Sequence, residues 1–275
     1  MLVRSANAFL WPLTGLVLVG CAQPPVQWRE STSTPPPPAT GTRLSVDTAG
    51  NVQWVAAERA PASVPLGPAA CPASLQVVRA TDRELYAVWW DVRPDSTAVL
   101  VAARSSDGGA TWPETVPVDT ADRGRIGCRR PAPSVTADST QGYVHVAYSM
   151  VAPGAPGVFF AHSMPGPLLF HAPVPIVYGD RLGQTSIATS GDIVVVAYED
   201  PNGAEPRVGL ALSRTLGHTF EQRVPVSTGT GAAVEPRVAL AGERVAVAWR
   251  QRRNDHGAAS APGATMVRRG EISGP

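Results

Sequence analysis

A repeat of roughly 50 residues limits the folds that this 275-residue chain can adopt. Four apolar segments, LYAVWW, VHVAYS, VVVAYE and VAVAWR, each carry an aromatic residue at an equivalent position. These residues, Trp89, Tyr148, Tyr198 and Trp249, lie 59, 50 and 51 residues apart. A Val-Pro-apolar tripeptide recurs with a similar period, at Pro65, Pro117, Pro175 and Pro225. Two independent markers with one period predict a repeat architecture.

The order of segments within each unit predicts four short strands. A strand such as PSVTA, TSIAT or PRVAL comes first, and the aromatic-ended strand follows it. A third strand (VLVAARS, VFFAHS or VGLALS) leads through a hairpin to the Val-Pro-apolar strand. Alternating and β-branched residues favour strands over helices. We therefore predict an all-β fold, a β-propeller of four-stranded antiparallel blades, with about four blades visible.

The hairpin between the third and fourth strands of the first full unit has a recognisable pattern. It reads SSDGGATW, and the pattern residues are Ser105, Asp107, Gly109, Thr111 and Trp112. This resembles the Asp box of sialidase-like (BNR-repeat) propellers, in which the box is structural and lies away from the active site. Two eroded copies occupy residues 163–170 and 213–220, and Thr215 stands where the aspartate belongs. A calcium loop would need more spaced carboxylates than this segment has.

The two ends of the repeat region suggest how the ring closes. The N-terminal stretch VQWVAAER…SVPL matches strands three and four of a blade, and PRVALAGERVAVAWRQ matches strands one and two. Together they would complete one blade, which predicts three whole blades and one composite blade within residues 42–275. The resemblance implies six blades, so two alternatives stay open. The chain is either a four-bladed ring with TMVRR as an extra strand, or an incomplete member of the family.

The first 41 residues are expected to target and tether the protein. Residues 1–20 combine Arg4 with an apolar run and lead into LVGC, which resembles the lipobox of bacterial lipoproteins. Cys21 would carry the lipid, and Ala22 favours sorting to the outer membrane. An ordinary signal peptide or an uncleaved anchor are the alternatives. Residues 21–41 are rich in Pro and Thr and are predicted to form an extended tether. The predicted location is the bacterial cell envelope.

Composition and cysteine count exclude several kinds of chemistry. The net charge is +1, which argues against nucleic acid as a partner. All 23 basic residues are arginine, so P-loop, Schiff-base and Ser-Lys chemistries are excluded. In an exported protein, Cys71 and Cys128 are expected to form a disulfide. Neither cysteines nor histidines show metal-ligand spacing, and we predict no metal and no cofactor.

Propeller topology predicts where a binding site would lie. The loops between strands two and three and the links between blades open at one end, which we call the mouth, and the hairpin at 105–112 lies at the other. Arginine guanidinium groups bind carboxylates with two parallel hydrogen bonds, so an acidic sugar is a reasonable ligand. Charged residues also collect in exposed loops without any function. The candidate residues at the mouth are Asp91, Arg93, Arg123, Arg125, Arg181, Glu199, Asp200, Arg250 and Arg252.

The resemblance to sialidases does not extend to a catalytic assignment. That family uses an arginine triad, a tyrosine nucleophile with a glutamate, and an aspartate acid/base. The Arg-Ile-Pro signature is absent, and Tyr178 has no glutamate that can be assigned to it. We expect a surface-tethered, non-catalytic module that binds a glycan or an envelope protein. The alternative is an exo-sialidase-type glycoside hydrolase acting on acidic sugars. For the other glycosidase plan, in which two carboxylates flank the sugar, the candidates are Asp91, Glu199 and Asp200.

Overall fold

The computed structural model describes residues 23–38, 41–57, 64–252 and 263–274. Its two helices are short 3₁₀ turns, Pro72–Ser74 and Gly127–Arg129, and no helix within the described ranges is long and apolar enough to cross a membrane. The predicted lipidation site, Cys21, lies outside these ranges. The strands are β1 (Val26–Trp28), β2 (Thr32–Thr34), β3 (Thr42–Val46), β4 (Val52–Ala56), β5 (Gln76–Arg79), β6 (Leu85–Val92), β7 (Ala98–Ser105), β8 (Glu114–Asp119), β9 (Ser134–Ala137), β10 (Val144–Val151), β11 (Pro156–Ser163), β12 (Val174–Tyr178), β13 (Thr185–Ser190), β14 (Ile193–Glu199), β15 (Val208–Ser213), β16 (Gln222–Pro225), β17 (Ala233–Ala241), β18 (Arg244–Gln251) and β19 (Ala264–Ile272).

Three consecutive repeats each fold into one four-stranded antiparallel sheet. The first blade is β5–β8, the second is β9–β12 and the third is β13–β16, with strands paired in chain order. The second and third strands are packed on both faces, so their sequences are nearly continuous apolar runs. In β10, only the last residue, Val151, is more than slightly exposed. The prediction of an all-β propeller with four-stranded antiparallel blades is confirmed.

The fourth blade joins the two ends of the chain. β17, β18 and β19 form a meander, and β1 adds to β19 with Val26 opposite Ile272. β2 pairs with the other end of β19. The segment that we interpreted as a tether therefore supplies the closing strand, and TMVRR belongs to the third strand of this blade. Gly270 permits the pairing, because a Cβ there would lie 2.7 Å from side-chain atoms of both Val26 and Trp28.

A fifth, two-stranded sheet stands between the fourth and first blades. It consists of β3 and β4, which are joined by a tight turn in which Asp47 Oδ1 accepts a hydrogen bond from the Asn51 amide at 2.8 Å. Leu44 and Val46 pack against the fourth blade. The prediction that residues 52–66 complete the composite blade was wrong. The backbone of Val52–Ala56 is hydrogen-bonded within the local hairpin of β3 and β4. The strand of the fourth blade that lies beside β19 is instead β1.

The five sheets surround a common cavity. Its volume is about 700 Å³, and its lining comes from the innermost strand of every sheet: β3, β5, β9, β13 and β17. β9 contacts β5 and β13, and β17 contacts β13 and β3. The described residues thus form a ring of four full blades and one two-stranded sheet around a central channel.

Aromatic residues of the second strands pack between the first and second blades. The Trp90 and Tyr148 rings of the first and second blades meet edge to face, with centroids 6.0 Å apart. The Tyr148 hydroxyl donates a hydrogen bond to Asp119 at 2.5 Å. Beneath Trp90, the guanidinium of Arg130 pairs with Asp122 at 2.5 Å, and both side chains are buried. A buried pair of this kind is strongly destabilising to break, because it would leave one unpaired charge.

Cys71 and Cys128 form a disulfide that connects the first two blades. Cys71 precedes β5 and Cys128 precedes β9, so the bond joins the segments that enter the two blades. The Cys71 amide also donates to the Trp90 carbonyl at 2.8 Å. The bond closes a loop across 57 residues.

Removal of this disulfide is expected to destabilise the propeller by about 4 kcal/mol in the chain-entropy model for a loop of that length. The double variant Cys71→Ser, Cys128→Ser should show this loss in denaturant unfolding at pH 7. Wild-type protein in reducing buffer serves as the control and should lose a similar amount. Equal stability of oxidised and reduced wild-type protein would contradict the expectation.

Candidate functional site

The nine residues predicted at the mouth all lie in loops or strand ends at one end of the ring. They fall in two classes, the loops after second strands and the links between blades. After second strands lie Asp91, Arg93, Glu199, Asp200, Arg250 and Arg252, and in the links lie Arg123, Arg125 and Arg181. The sequence therefore places them at a common end, but the structure shows that most of them bind neighbouring parts of the same chain.

Two of the arginines hold loops in place. Arg93 donates to the hydroxyl of Thr97 at 3.2 Å and to the carbonyls of Ala98 and Thr120 at 3.1 Å each. Arg181 donates to the carbonyls of Gly203 at 2.8 Å and of Asp200 at 3.0 Å, among others. Because these contacts occupy the guanidinium donors, neither arginine is well placed to hold a ligand.

A second group of mouth residues forms a network between the third and fourth blades. Arg250 pairs with the Glu235 carboxylate, and Arg252 lies 4.0 Å from the same carboxylate. Glu199 accepts a hydrogen bond from the Glu235 amide at 2.8 Å. The positive φ of Glu235, 58°, marks the bulge in β17 at which this network forms.

The remaining four mouth residues do not converge. Asp91 accepts a hydrogen bond from the Trp89 indole at 2.7 Å, and Asp200 accepts one from the Asn202 amide at 2.9 Å. Arg123 and Arg125 are exposed in the link between the first two blades. Of the three candidate carboxylates, Asp91 belongs to the first blade, whereas Glu199 and Asp200 belong to the third. Asp200 is held by hydrogen bonding within its own loop.

The central cavity contains a ring of equivalent positions that the sequence analysis did not single out. In β5, β9, β13 and β17, one residue pairs with the residue that precedes the aromatic end of the second strand. In β3, the second residue pairs with Val55, which follows Trp54 in β4. These residues line the cavity close to the mouth, and we call them the polar ring: Arg43, Gln76, Ser134, Ser186 and Arg237. The signal in the sequence is the matched spacing of TRLSV, LQVVR, PSVTA, TSIAT and PRVAL, each with a polar second residue.

The charge of this cavity is positive. Arg43 and Arg237 lie on the adjoining strands β3 and β17, and both are exposed to the cavity. Arg79 lies farther along β5 and also lines the cavity. The described lining residues include no Asp, Glu, Tyr or His, and within the described ranges no carboxylate pairs with Arg43 or Arg237. An anion that enters would meet the guanidinium groups of Arg43 and Arg237 without displacing a carboxylate of the described residues.

The Ser105–Trp112 hairpin lies at the opposite end and is held by its own side chains. Asp107 accepts hydrogen bonds from the Thr111 amide at 2.9 Å and from the Thr111 hydroxyl at 2.6 Å. Ser105 donates to Asp107 at 2.8 Å and accepts from the Gly109 amide at 2.9 Å. These bonds, first those from Thr111, lower the pKa of Asp107 to about 2. This geometry accounts for a structural role of the hairpin.

No group of three or more His, Cys, Asp or Glu residues within the described ranges is arranged to hold a metal ion. Four histidines nevertheless lie close to one another at the same end as the Ser105–Trp112 hairpin, although their spacing in the sequence is irregular.

Comparisons with known proteins report similarity in structure alone. No family model and no curated protein sequence matches the chain. Similar solved structures include a Hadza microbial sialidase (16% identity, 70% of this chain and 43% of that chain, TM-score 0.47). They also include a Trypanosoma rangeli sialidase in complex with 2,3-difluorosialic acid (13% identity, 83% of this chain and 39% of that chain, TM-score 0.48). A Dyadobacter fermentans protein of unknown function matches over 91% of this chain and 100% of that chain, with 13% sequence identity and a TM-score of 0.45.

The chain spans less than half the length of the two sialidases that it resembles. Since these TM-scores lie below 0.5, the propeller assignment depends on the strand pairing described above and no residue role is transferred from them.

We expect Asp107→Asn to lower the melting temperature at pH 7, because the neutral amide accepts weaker hydrogen bonds from Thr111. Since folding lowers the pKa of Asp107 to about 2, its contribution is complete above about pH 4 and is lost as the pH falls toward 2. Thermal unfolding of wild type and variant should therefore differ at pH 7 and converge near pH 2. Asp82→Asn, on the neighbouring turn, is the control. An equal effect of both substitutions would contradict the assigned role.

Proposed function

We propose that this protein is a tethered propeller that binds an anionic, carboxylate-bearing glycan in its central cavity without hydrolysing it. The observation that carries the proposal is the placement of Arg43 and Arg237 on adjoining inner strands, in a cavity whose described lining lacks carboxylates. Guanidinium groups bind carboxylates in bidentate geometry, and sugar hydroxyls would meet the Gln and Ser members of the polar ring.

The described lining of the cavity contains no Asp, Glu, Tyr or His, which supports binding over hydrolysis. Hydrolysis by the sialidase route would need a tyrosine nucleophile and carboxylates beside the sugar. The predicted candidate Glu199 accepts the backbone amide of Glu235, and the Glu235 carboxylate pairs with Arg250. Asp91 belongs to the first blade and accepts from Trp89.

We further propose that the protein is exported and anchored in the bacterial cell envelope, at the outer membrane, through a lipid on Cys21. The support is the LVGC sequence behind an apolar segment, followed by Ala22. A propeller held near the surface in this way would meet glycans of the envelope or of the surroundings, and an envelope protein is the alternative ligand.

Binding of a carboxylated sugar should depend on the polar ring. We expect Arg43→Gln and Arg237→Gln each to weaken binding about 10- to 100-fold, since one charge-assisted contact contributes ~1.5–3 kcal/mol. Calorimetry with sialyllactose and with a glucuronate oligosaccharide, using residues 22–275, measures this. Arg250→Gln is the matched control and should leave the affinity nearly unchanged. Equal binding of the methyl-esterified sugars, or a loss confined to Arg250→Gln, would contradict the cavity site.

No turnover is expected from the same protein with fluorogenic aryl sialosides or neutral aryl glycosides. The reason is that the described cavity residues include no Asp, Glu or Tyr, the residue types that the sialidase and two-carboxylate routes require. Turnover by wild type that is lost in Arg43→Gln would replace the binding proposal by the hydrolase. Turnover that persists in both ring variants would point to a contaminating enzyme or to a site elsewhere on the chain.

A further inference from the structure

Four histidines from two blades gather at the end of the ring opposite the mouth. His145 lies in β10, His162 in β11, and His171 follows the hairpin after β11. His218 belongs to the hairpin 213–220 of the third blade. The ring centroid of His162 lies 4.6 Å from that of His218, 4.8 Å from that of His171 and 6.3 Å from that of His145. The cluster therefore lies where the second and third blades meet.

The two inner histidines sit in aromatic surroundings. His145 is fully buried, and its ring stacks against Tyr143 and Phe160 at 5.7 Å each. His162 is 4% exposed, and its Nε2 has no hydrogen-bond partner among the described residues. Apolar burial favours the uncharged imidazole, because a buried charge without a partner is costly.

His145 connects the second blade directly to the third. Its Nε2 donates to the carbonyl of Leu216 at 3.1 Å, so Nδ1 carries no proton in this neutral form. Nδ1 is buried and has no partner within the described ranges. A proton added at Nδ1 would therefore be an unsatisfied, charged donor.

The hairpin that receives this bond is shaped to fit closely. Leu216 and Gly217 have φ values of 55° and 84°. A Cβ on Gly217 would lie 2.2 Å from Phe160 Cζ, so the backbone lies against that ring. Unlike the Ser105–Trp112 hairpin, this one has Thr215 in place of the aspartate, and Thr215 Oγ1 accepts the Thr219 amide at 3.0 Å. We infer that hairpin 213–220 depends more on its contact with the second blade than the Ser105–Trp112 hairpin does on contacts outside itself.

The charged groups around the cluster provide little compensation for added protons. Asp138, in the turn before β10, is the carboxylate that acts on His145, and it already accepts the amides of Thr140 and Gln141. Asp192, in the turn after β13, accepts from the Gln141 side chain. Arg214 of the third-blade hairpin donates away from the cluster, to the Ser273 carbonyl.

The titration of the inner pair follows from this setting. Burial lowers the pKa of His145 to about 4, against the opposing effects of the Leu216 carbonyl and Asp138. Burial also lowers the pKa of His162 to about 4, and the charges of His218, His145 and His171 act in the same direction. Folding therefore depresses both values below the ordinary value of about 6.5. The stabilising contribution is complete above about pH 6.5 and is lost as the pH falls toward 4.

We propose that the four-histidine cluster is an acid-sensitive contact between the second and third blades. In the neutral state it holds hairpin 213–220 against Phe160. As the pH falls toward 4, protonation of the inner histidines places like charges in one apolar pocket and releases the hairpin. The outer histidines, His171 and His218, are exposed, whereas the buried inner pair gains protons only as the contact opens.

Hydrogen exchange of the full propeller tests this directly. Peptides covering 213–220 report the opening constant of this hairpin, after correction for intrinsic exchange. As the pH falls from 6 to 4.5, this constant should rise about tenfold per pH unit for each inner histidine. Peptides covering Ser105–Trp112 are the internal control and should stay protected, since Asp107 remains ionised in that range. Equal opening of both hairpins, or opening of neither, would overturn the proposal.

Two variants separate titration from packing. His145→Gln keeps a donor for the Leu216 carbonyl, and His162→Phe keeps an aromatic ring beside Phe160. The double variant should lose the pH dependence of 213–220 while it stays folded at pH 7. If the variants do not fold, NMR titration of wild-type histidine ring signals decides the matter. Inner histidines that titrate near pH 6.5 would refute the proposal, and signals that stay neutral at pH 5.5 would support it.

Discussion

The pairing of the first strand with the last holds the ring together. Each of the three central blades is a local meander and pairs no strand with another blade. β1 and β19 join residues almost 250 positions apart, with Val26 opposite Ile272, so their hydrogen bonds can form only after the loop entropy of nearly the whole chain has been overcome. This closure brings β17 beside β3 and thereby completes the wall of the central cavity.

The cavity and the mouth differ in how their arginines are used. Loop arginines such as Arg93 and Arg181 donate to backbone carbonyls, which stabilises loops that have no regular hydrogen bonding of their own. Strands need no such help, because the backbone of β3 and β17 is already paired within its sheet. Arg237 donates one hydrogen bond to the Pro236 carbonyl at the bulge of β17. Within the described ranges neither Arg43 nor Arg237 pairs with a carboxylate, and we regard this as the basis of the proposed anion site.

Much of the fold could be read from the repeats, because alternation, β-branched content and turn residues report on local structure. The three central blades appear at the predicted positions. The closing strand was misassigned because Val26-Gln27-Trp28 and Val52-Gln53-Trp54 are the same tripeptide, and local pattern does not reveal which copy pairs with a distant partner. The predicted mouth residues share an end of the ring, but their hydrogen bonds with backbone carbonyls have no signature in the sequence.

The sequence by itself determined the blades, the polarity of each strand and the end of the ring to which each loop belongs, since these follow from periodicity and from antiparallel order. The tertiary structure decided which charges remain available. It also decided that Arg43 and Arg237 lie on adjoining strands, and that His145, His162, His171 and His218 meet between blades. Such encounters depend on ring closure and on packing between residues far apart in the chain, and the free energy of those contacts is not encoded in any single segment.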